Sequence, residues 1–242
     1  MTDLLDLVLD AHGGLERWQQ LREISAHVRV DGTLWHAKGY GGVLVDEHVT
    51  LDPHRQRISY APFTEPDRRS RFEPERVAVE TLDGRVVAER TAPRAAFAGF
   101  QLSTRWDDLH LAYFIGYAMW NYLTAPFLLT WPGVVAEEIE PWEENGESWR
   151  RLKVTFPPDI ATHNPEQVFY YSADGLLRRH DYVAEVVHGE TATPTAHYTD
   201  EHRSFSGMMF PTRRRALRIN PDNTSRHGTP GVSIDVLDID LT

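Results

Sequence analysis

Asp107-Asp108-Leu109-His110-Leu111-Ala112-Tyr113-Phe114-Ile115-Gly116-Tyr117-Ala118-Met119-Trp120-Asn121-Tyr122-Leu123-Thr124-Ala125-Pro126-Phe127-Leu128-Leu129-Thr130-Trp131 is almost free of charge, in a chain that otherwise reads as strands and turns. A helix that is apolar on nearly every side must be buried on nearly every side, so the sheet has to wrap around it. Asp107 or Asp108 caps the helix, which spans Asp107 to Leu123, and Pro126 ends or kinks it. One stripe differs from the rest. His110, Tyr113, Tyr117 and Trp120 follow at steps of three, four and three, and so share a face. Their apolar bodies and polar tips suit a cavity wall.

Outward from this helix the pattern is β. The N-terminal stretch Leu4–Leu21 is amphipathic and helical, interrupted at Gly13-Gly14, and has no basic leader or cleavage site. Strands are expected at Ser25–Val30, Val43–Leu51, Gln56–Tyr60, Arg76–Glu80 and Val86–Arg90. After the helix come Val134–Glu140, Trp149–Phe156, Gln167–Tyr171, Leu176–Val187, Thr195–Phe205, Met208–Ile219 and Val232–Leu241. The turn signals Asp83-Gly84, Asn145-Gly146, Asp174-Gly175 and Ser206-Gly207 join neighbouring strands as hairpins, which means antiparallel pairing. The expected fold is mainly β, a single curved antiparallel sheet forming an open half-barrel around the apolar helix, in one domain over residues 1–242.

Composition limits function. The formal charge of −11 argues against a nucleic-acid surface, and Arg213-Arg214-Arg215 divides between two strand faces. Without cysteine there is no disulfide, thiolate nucleophile or cysteine-bound metal. His110, Asn121 and Pro126 argue against a membrane span through Leu109–Trp131, and a cytoplasmic location is expected. No Gly-x-Ser-x-Gly elbow, phosphate loop or dinucleotide fingerprint is present, and no cofactor is expected. The acidic residues between Glu137 and Glu147 read as a solvated hairpin face.

On the strand Leu176–Val186, alternation puts Arg178, His180 and Tyr182 on one face and Arg179, Asp181, Val183 and Glu185 on a solvent-facing one. His180 and Tyr182 then look toward the helix, where His110 already points. His110, His180 and Tyr182 are the candidate catalytic residues, since buried imidazoles and phenols can serve as acid, base or carbonyl-polarising donor. Tyr113, Tyr117, Trp120, Tyr198 and His202 are the candidate ligand-binding residues. In an unbroken strand His197 and His202 fall on opposite faces, so only one joins His180 inside. A zinc site of His110, His180 and one of these two is conceivable, although no HxH or HExxH spacing supports it. His12, His27, His36, His48, His54, His163, His188 and His227 read as surface residues.

Two regions carry a family resemblance. The opening Ala11-His12-Gly13-Gly14-Leu15-Glu16-Arg17-Trp18-Gln19-Gln20-Leu21-Arg22-Glu23-Ile24 resembles the start of LolA/LolB-like domains. Tyr170-Tyr171-Ser172-Ala173-Asp174-Gly175-Leu176-Leu177 and Tyr198–Pro211 are similar to two hairpins of the same superfamily. The segment around Trp106-Asp107-Asp108-Leu109-His110-Leu111-Ala112-Tyr113-Phe114 also resembles a cytoplasmic, actinobacterial-type branch. The resemblance implies an open half-barrel with helices on its concave side, holding a lipid-like or otherwise apolar ligand. Carriage of lipoproteins between membranes is not expected, because no lipid-attachment cysteine is present. Three functions fit: binding of a hydrophobic, lipid- or polyketide-like small molecule; cofactor-independent acid–base catalysis of the lyase, isomerase or hydrolase type on an apolar carbonyl or hydroxyl substrate; or a structural or interaction domain without a ligand, with ligand binding favoured. Oligomeric state is left open.

Overall fold

The computed structural model describes residues 3–188, 194–226 and 228–242. Two short helices, α1 (Asp3–Ala11) and α2 (Leu15–Gln20), precede strand β1 (Ile24–Asp31), helix α3 (Thr33–Lys38) and strands β2 (Glu47–Asp52), β3 (Arg57–Ala61), β4 (Arg68–Glu73), β5 (Arg76–Thr81) and β6 (Val86–Thr91). The long helix α4 (Asp108–Thr124) follows. Then come β7 (Val135–Glu144), β8 (Glu147–Thr155), β9 (Glu166–Tyr171), β10 (Leu177–Val183), helix α5 (Glu185–His188), β11 (Pro194–Phe205), β12 (Met208–Arg218) and β13 (Val232–Leu241). All strands belong to one antiparallel sheet in the order β6-β5-β4-β3-β2-β1-β13-β12-β11-β10-β9-β8-β7. The first and last strands of the chain meet in its middle, where Ile24 pairs with Leu241 and Val30 with Ile234.

The sheet is open and curls around α4, whose residues are buried from Leu109 to Thr124. The helix starts where the sequence places it. Asp107 caps it by accepting from the His110 amide at 2.8 Å. Its close approach to β4 depends on Gly116, where a Cβ would lie 2.5 Å from Phe72 Cβ and Cγ. The Gly13-Gly14 break also has a packing reason. A Cβ on Gly13 would come within 2.6 Å of the Gly207 carbonyl oxygen, and Met209 donates its amide to His12 O at 3.1 Å. The N-terminal helices are thereby seated on the Ser206-Gly207 hairpin. Among the described residues no helix is long and apolar enough to cross a membrane.

Four elements differ from the sequence expectation, the first being strand β4 (Arg68–Glu73), which has no counterpart among the expected strands. The Asp31–Gly42 stretch contains α3, because Leu34 and Trp35 bury against the core and Gly39 ends the turn in the left-handed region at φ 97°. The strand expected to reach Val187 stops at Val183, after which Ala184, Val186 and Val187 pack inward from the short turn of α5. The outer face of β10, expected to meet solvent, is covered instead. Arg179, assigned to solvent by parity, is fully buried on the opposite face from His180. There it donates to Asp181 (2.7 and 2.8 Å) and Glu144 (3.0 Å).

Gly116→Ala tests the helix–sheet contact. Ala gains about 1 kcal/mol of helix propensity over Gly, whereas forcing a methyl into Phe72 costs about 1–3 kcal/mol. Urea unfolding should therefore show net destabilisation; equal or higher stability would mean that α4 does not rest on β4 at this distance.

Candidate functional site

The inner face of β10–β12 and the C-terminal half of α4 enclose a network of phenols and imidazoles. His163, on the loop before β9, is central. Its Nε2 lies 2.7 Å from Tyr122 Oη and its Nδ1 3.1 Å from Tyr117 Oη. A neutral imidazole has one N–H, so it donates to one phenol and accepts from the other. Tyr122 Oη is also 3.0 Å from Tyr182 Oη, which in turn is 3.2 Å from His197 Nδ1. The His163 ring stacks on Tyr182 with centroids 3.8 Å apart. Next to it, His180 donates through Nε2 to Gln167 Oε1 at 2.5 Å and stacks on Phe169.

Burial sets the charge states. It drives His163 down to about 3, helped by the positive charge of Arg94, and holds His180 and His197 well below the usual imidazole range. The same desolvation pushes the phenols of Tyr117, Tyr122 and Tyr182 upward. At neutral pH the whole network is uncharged. It offers hydrogen bonds, and no member is poised between two protonation states.

Arg214 on β12 faces the same interior. Its Nη2 donates to Tyr122 O at 2.8 Å and its guanidinium lies 5.1 Å from the Tyr122 ring centroid. Nε has no hydrogen-bond partner, and among the described residues no carboxylate lies within ion-pair reach. Desolvation lowers its pKa to about 10.

A cavity of about 460 Å³ opens beside this network. Its walls include Leu34 and Ala37 of α3, Phe114 of α4, Tyr182 of β10, Ala216 of β12 and Val232 of β13. Phe114, Tyr182 and Val232 also border a narrower cleft that runs inward along α4 past Ile115, Met119 and Tyr122. The walls are mostly apolar and the volume lies within the range of small-molecule sites. Lys38 ties the rim together: its Nζ donates to Gln101 O, Leu102 O and Thr104 O at 2.9–3.2 Å, and to Val187 O at 3.3 Å. Burial lowers that ammonium to about 8.

The sequence-derived candidates do not gather in one place. Tyr182, Tyr117 and His180 lie in or beside the network. His110 does not join them. It completes the cap of α4, with Nδ1 2.6 Å from Asp107 Oδ1, and wedges between Phe97 and Phe100. Twelve residues separate it from Tyr122, about 18 Å along the axis, while the His180 ring is 6.3 Å from Tyr122. A zinc ion shared by His110 and His180 is therefore ruled out by distance. Tyr113 and Trp120 turn elsewhere: Tyr113 packs on Phe72 and Phe97, and Trp120 donates to Asp52 O at 2.8 Å. The stripe is too wide to face one cavity, because the sheet surrounds the helix.

Tyr198 lies on the convex side, 2.5 Å from Glu144 Oε1. His202 sits under the N-terminal helix, 6.3 Å from the His12 ring. The positive φ of Glu201 (54°) interrupts the strand between His197 and His202, so the parity rule fails there. His197 and His163, the latter read as a surface residue, are central, and His12 is buried as well. The signal for His163 was weak: one imidazole in an irregular Pro- and Asn-rich loop, with no periodicity to place it. His227 and the His188 side chain lie outside the described residues.

No family model matches this chain, and no curated protein matches it in sequence. Solved structures do match its shape. A LolA superfamily protein from Nitrosomonas europaea superposes with a TM-score of 0.52 at 11% identity, over 97% of this chain and 92% of that one. A domain described as outer membrane lipoprotein-sorting, from Vibrio parahaemolyticus, gives 0.53 at 9% identity, over 98% and 91%. A DUF1329 family protein from Desulfovibrio piger gives 0.50 at 11%, over 98% and 91%. The fold is LolA-like.

The buried histidines predict an acid-labile fold. His12 is lowered to about 4 and His163 to about 3, against 6.5 unfolded. As pH falls through 6.5 the unfolded chain takes up protons that the folded chain refuses, so stability is lost toward pH 4. Each of the two costs about 2 kcal/mol by pH 5. Glu47 acts with the opposite sign. Burial raises it to about 8, and its contribution, full below about 4.5, is lost as pH rises toward 8. Denaturant titrations across pH 4–8 should show a maximum between these limbs, with Glu47→Gln flattening the alkaline one. A flat wild-type profile from pH 7 to 5 would contradict the buried, neutral histidines.

Proposed function

We propose that the protein binds an apolar, lipid- or polyketide-like small molecule in the cavity between α3, α4 and β10–β13. One observation carries this reading: a mostly apolar cavity of about 460 Å³ opens between α3, α4 and the sheet, with Tyr182 in its wall and a small cleft of about 30 Å³ beside it along α4 that Tyr122 also borders. A curled sheet alone does not require such a space, since close-packed interiors leave few voids. The fold shared with a domain described as lipoprotein-sorting is in keeping with it. Affinity would come chiefly from apolar area removed from water, at about 25 cal/mol per Å², and the phenols would fix the orientation of a ligand hydroxyl or carbonyl.

Acid–base catalysis in the same pocket is less well supported. A general base works best with a pKa near the operating pH, and here the imidazoles are held low and the phenols high. We place the protein in the cytoplasm, within an actinobacterial-type branch. The Trp106–Phe114 segment is what suggests that branch.

Titration with Nile red, a neutral apolar fluorophore, tests the cavity. Saturable binding at one site per chain is expected, and Ala216→Trp, which fills the space, should abolish it while the fold stays intact by circular dichroism. Tyr182→Phe should weaken a carbonyl-bearing ligand by about 1 kcal/mol, the worth of one hydrogen bond. Unchanged Nile red binding in Ala216→Trp would remove the cavity from the account.

A further inference from the structure

Charge around the cavity mouth runs against the charge of the chain. The protein carries a net charge of −11, yet among the described residues the cavity wall contains two arginines, Arg218 and Arg226, and no carboxylate. The three other grooves of similar size each combine acids with bases: Glu75, Asp159 and Glu185 with Arg94 in one, Glu73 and Asp159 with Arg55 and Arg57 in another, and Asp10 and Glu16 with Arg17 in the third.

The two arginines are held side by side at the rim. Arg218 ends β12, and the Arg226 amide donates to Arg218 O at 2.8 Å. Arg226 Nε donates to Asn220 Oδ1 at 3.1 Å, a neutral partner. Among the described residues neither guanidinium lies within ion-pair distance of an acid. Deeper on the same strand, at alternate positions, come Ala216 in the cavity wall and then the buried Arg214, about 13 Å in from Arg218 by strand rise. Arg214 has no carboxylate partner either, so its charge adds to the field at the inner end instead of cancelling it.

Resting on the apolar-ligand reading above, we propose that the ligand is an anionic amphiphile. Its acyl-like tail fills the cavity toward Phe114 and Tyr182, and its carboxylate or phosphate head sits at the mouth between Arg218 and Arg226. Guanidinium forks match both acids in geometry, and charge-assisted hydrogen bonds are the strong ones. The exposed head keeps its own hydration on one side, so no charge has to enter the apolar interior. A tertiary or quaternary ammonium head is disfavoured by the same field.

Displacement of Nile red by a matched set of twelve-carbon probes tests this: dodecanoate, dodecyl phosphate, 1-dodecanol and dodecyltrimethylammonium, at pH 7.5 and low salt. Wild-type protein should prefer at least one acid over the alcohol by about tenfold or more, in line with one or two charge-assisted contacts, and bind the ammonium probe most weakly. Whichever acid leads identifies the head as carboxylate or phosphate. In Arg218→Gln/Arg226→Gln the preference should collapse while 1-dodecanol affinity stays within about twofold. Equal displacement by acid and alcohol in the wild type, or an acid preference that survives the double substitution, overturns the anionic head and leaves the apolar cavity standing. Failure of all four probes together with Nile red overturns both.

Discussion

Burying α4 on every side is the constraint on which the rest of the structure depends. Residues Leu109–Thr124 have no face to give to water. A flat sheet would cover one side only, so the strands must curl past the helix and continue around it. That need explains the middle pairing of the chain's first and last strands, which makes one continuous surface from two runs of hairpins. It explains Gly116 too, where the helix backbone comes down onto Phe72.

Enclosure also dictates the interior chemistry. Polar groups carried inward by the helix cannot reach solvent, so each has to find a partner inside. Asn121 and Gln56 bond to each other and to the Ala161 backbone, and Tyr117, Tyr122 and Tyr182 share His163 and His197. Neutral donors and acceptors satisfy one another at little electrostatic cost, whereas a charge does not. Arg214 is the exception. Its retention inside, against a desolvation penalty of several kcal/mol, sets it apart from the paired arginine Arg179 on the convex side.

What could be read beforehand followed the reach of periodicity. The central helix, its Asp107 cap, the hairpins at Asp83-Gly84, Asn145-Gly146, Asp174-Gly175 and Ser206-Gly207, and the inward turn of His180 and Tyr182 all come from local spacing. Local spacing failed where the backbone departs from regularity. The positive φ at Glu201 resets strand parity and left His202 and His197 as alternatives, whereas Arg179 keeps its expected face and was misjudged because Asp181 and Glu144 cover that face. Stripe arguments failed on α4 for another reason: a helix with neighbours all around has no single cavity face, so His110 and Tyr113 pack on Phe97 while Trp120 reaches Asp52. His163 lies in a loop between two strands, and only the three-dimensional closure of that loop over α4 brings it to Tyr122.

The central claim is that the space left inside the curl, between α4 and β12–β13, is a ligand site. Anomalous diffraction from a crystal grown with 12-bromododecanol locates a bromine without reference to any assumed pose. The account predicts one bromine peak per chain inside the cavity bounded by Phe114, Tyr182, Ala216 and Val232 or along the cleft behind it. A peak in the groove lined by Glu75 and Glu185 or on the convex face, with the cavity empty, would contradict it.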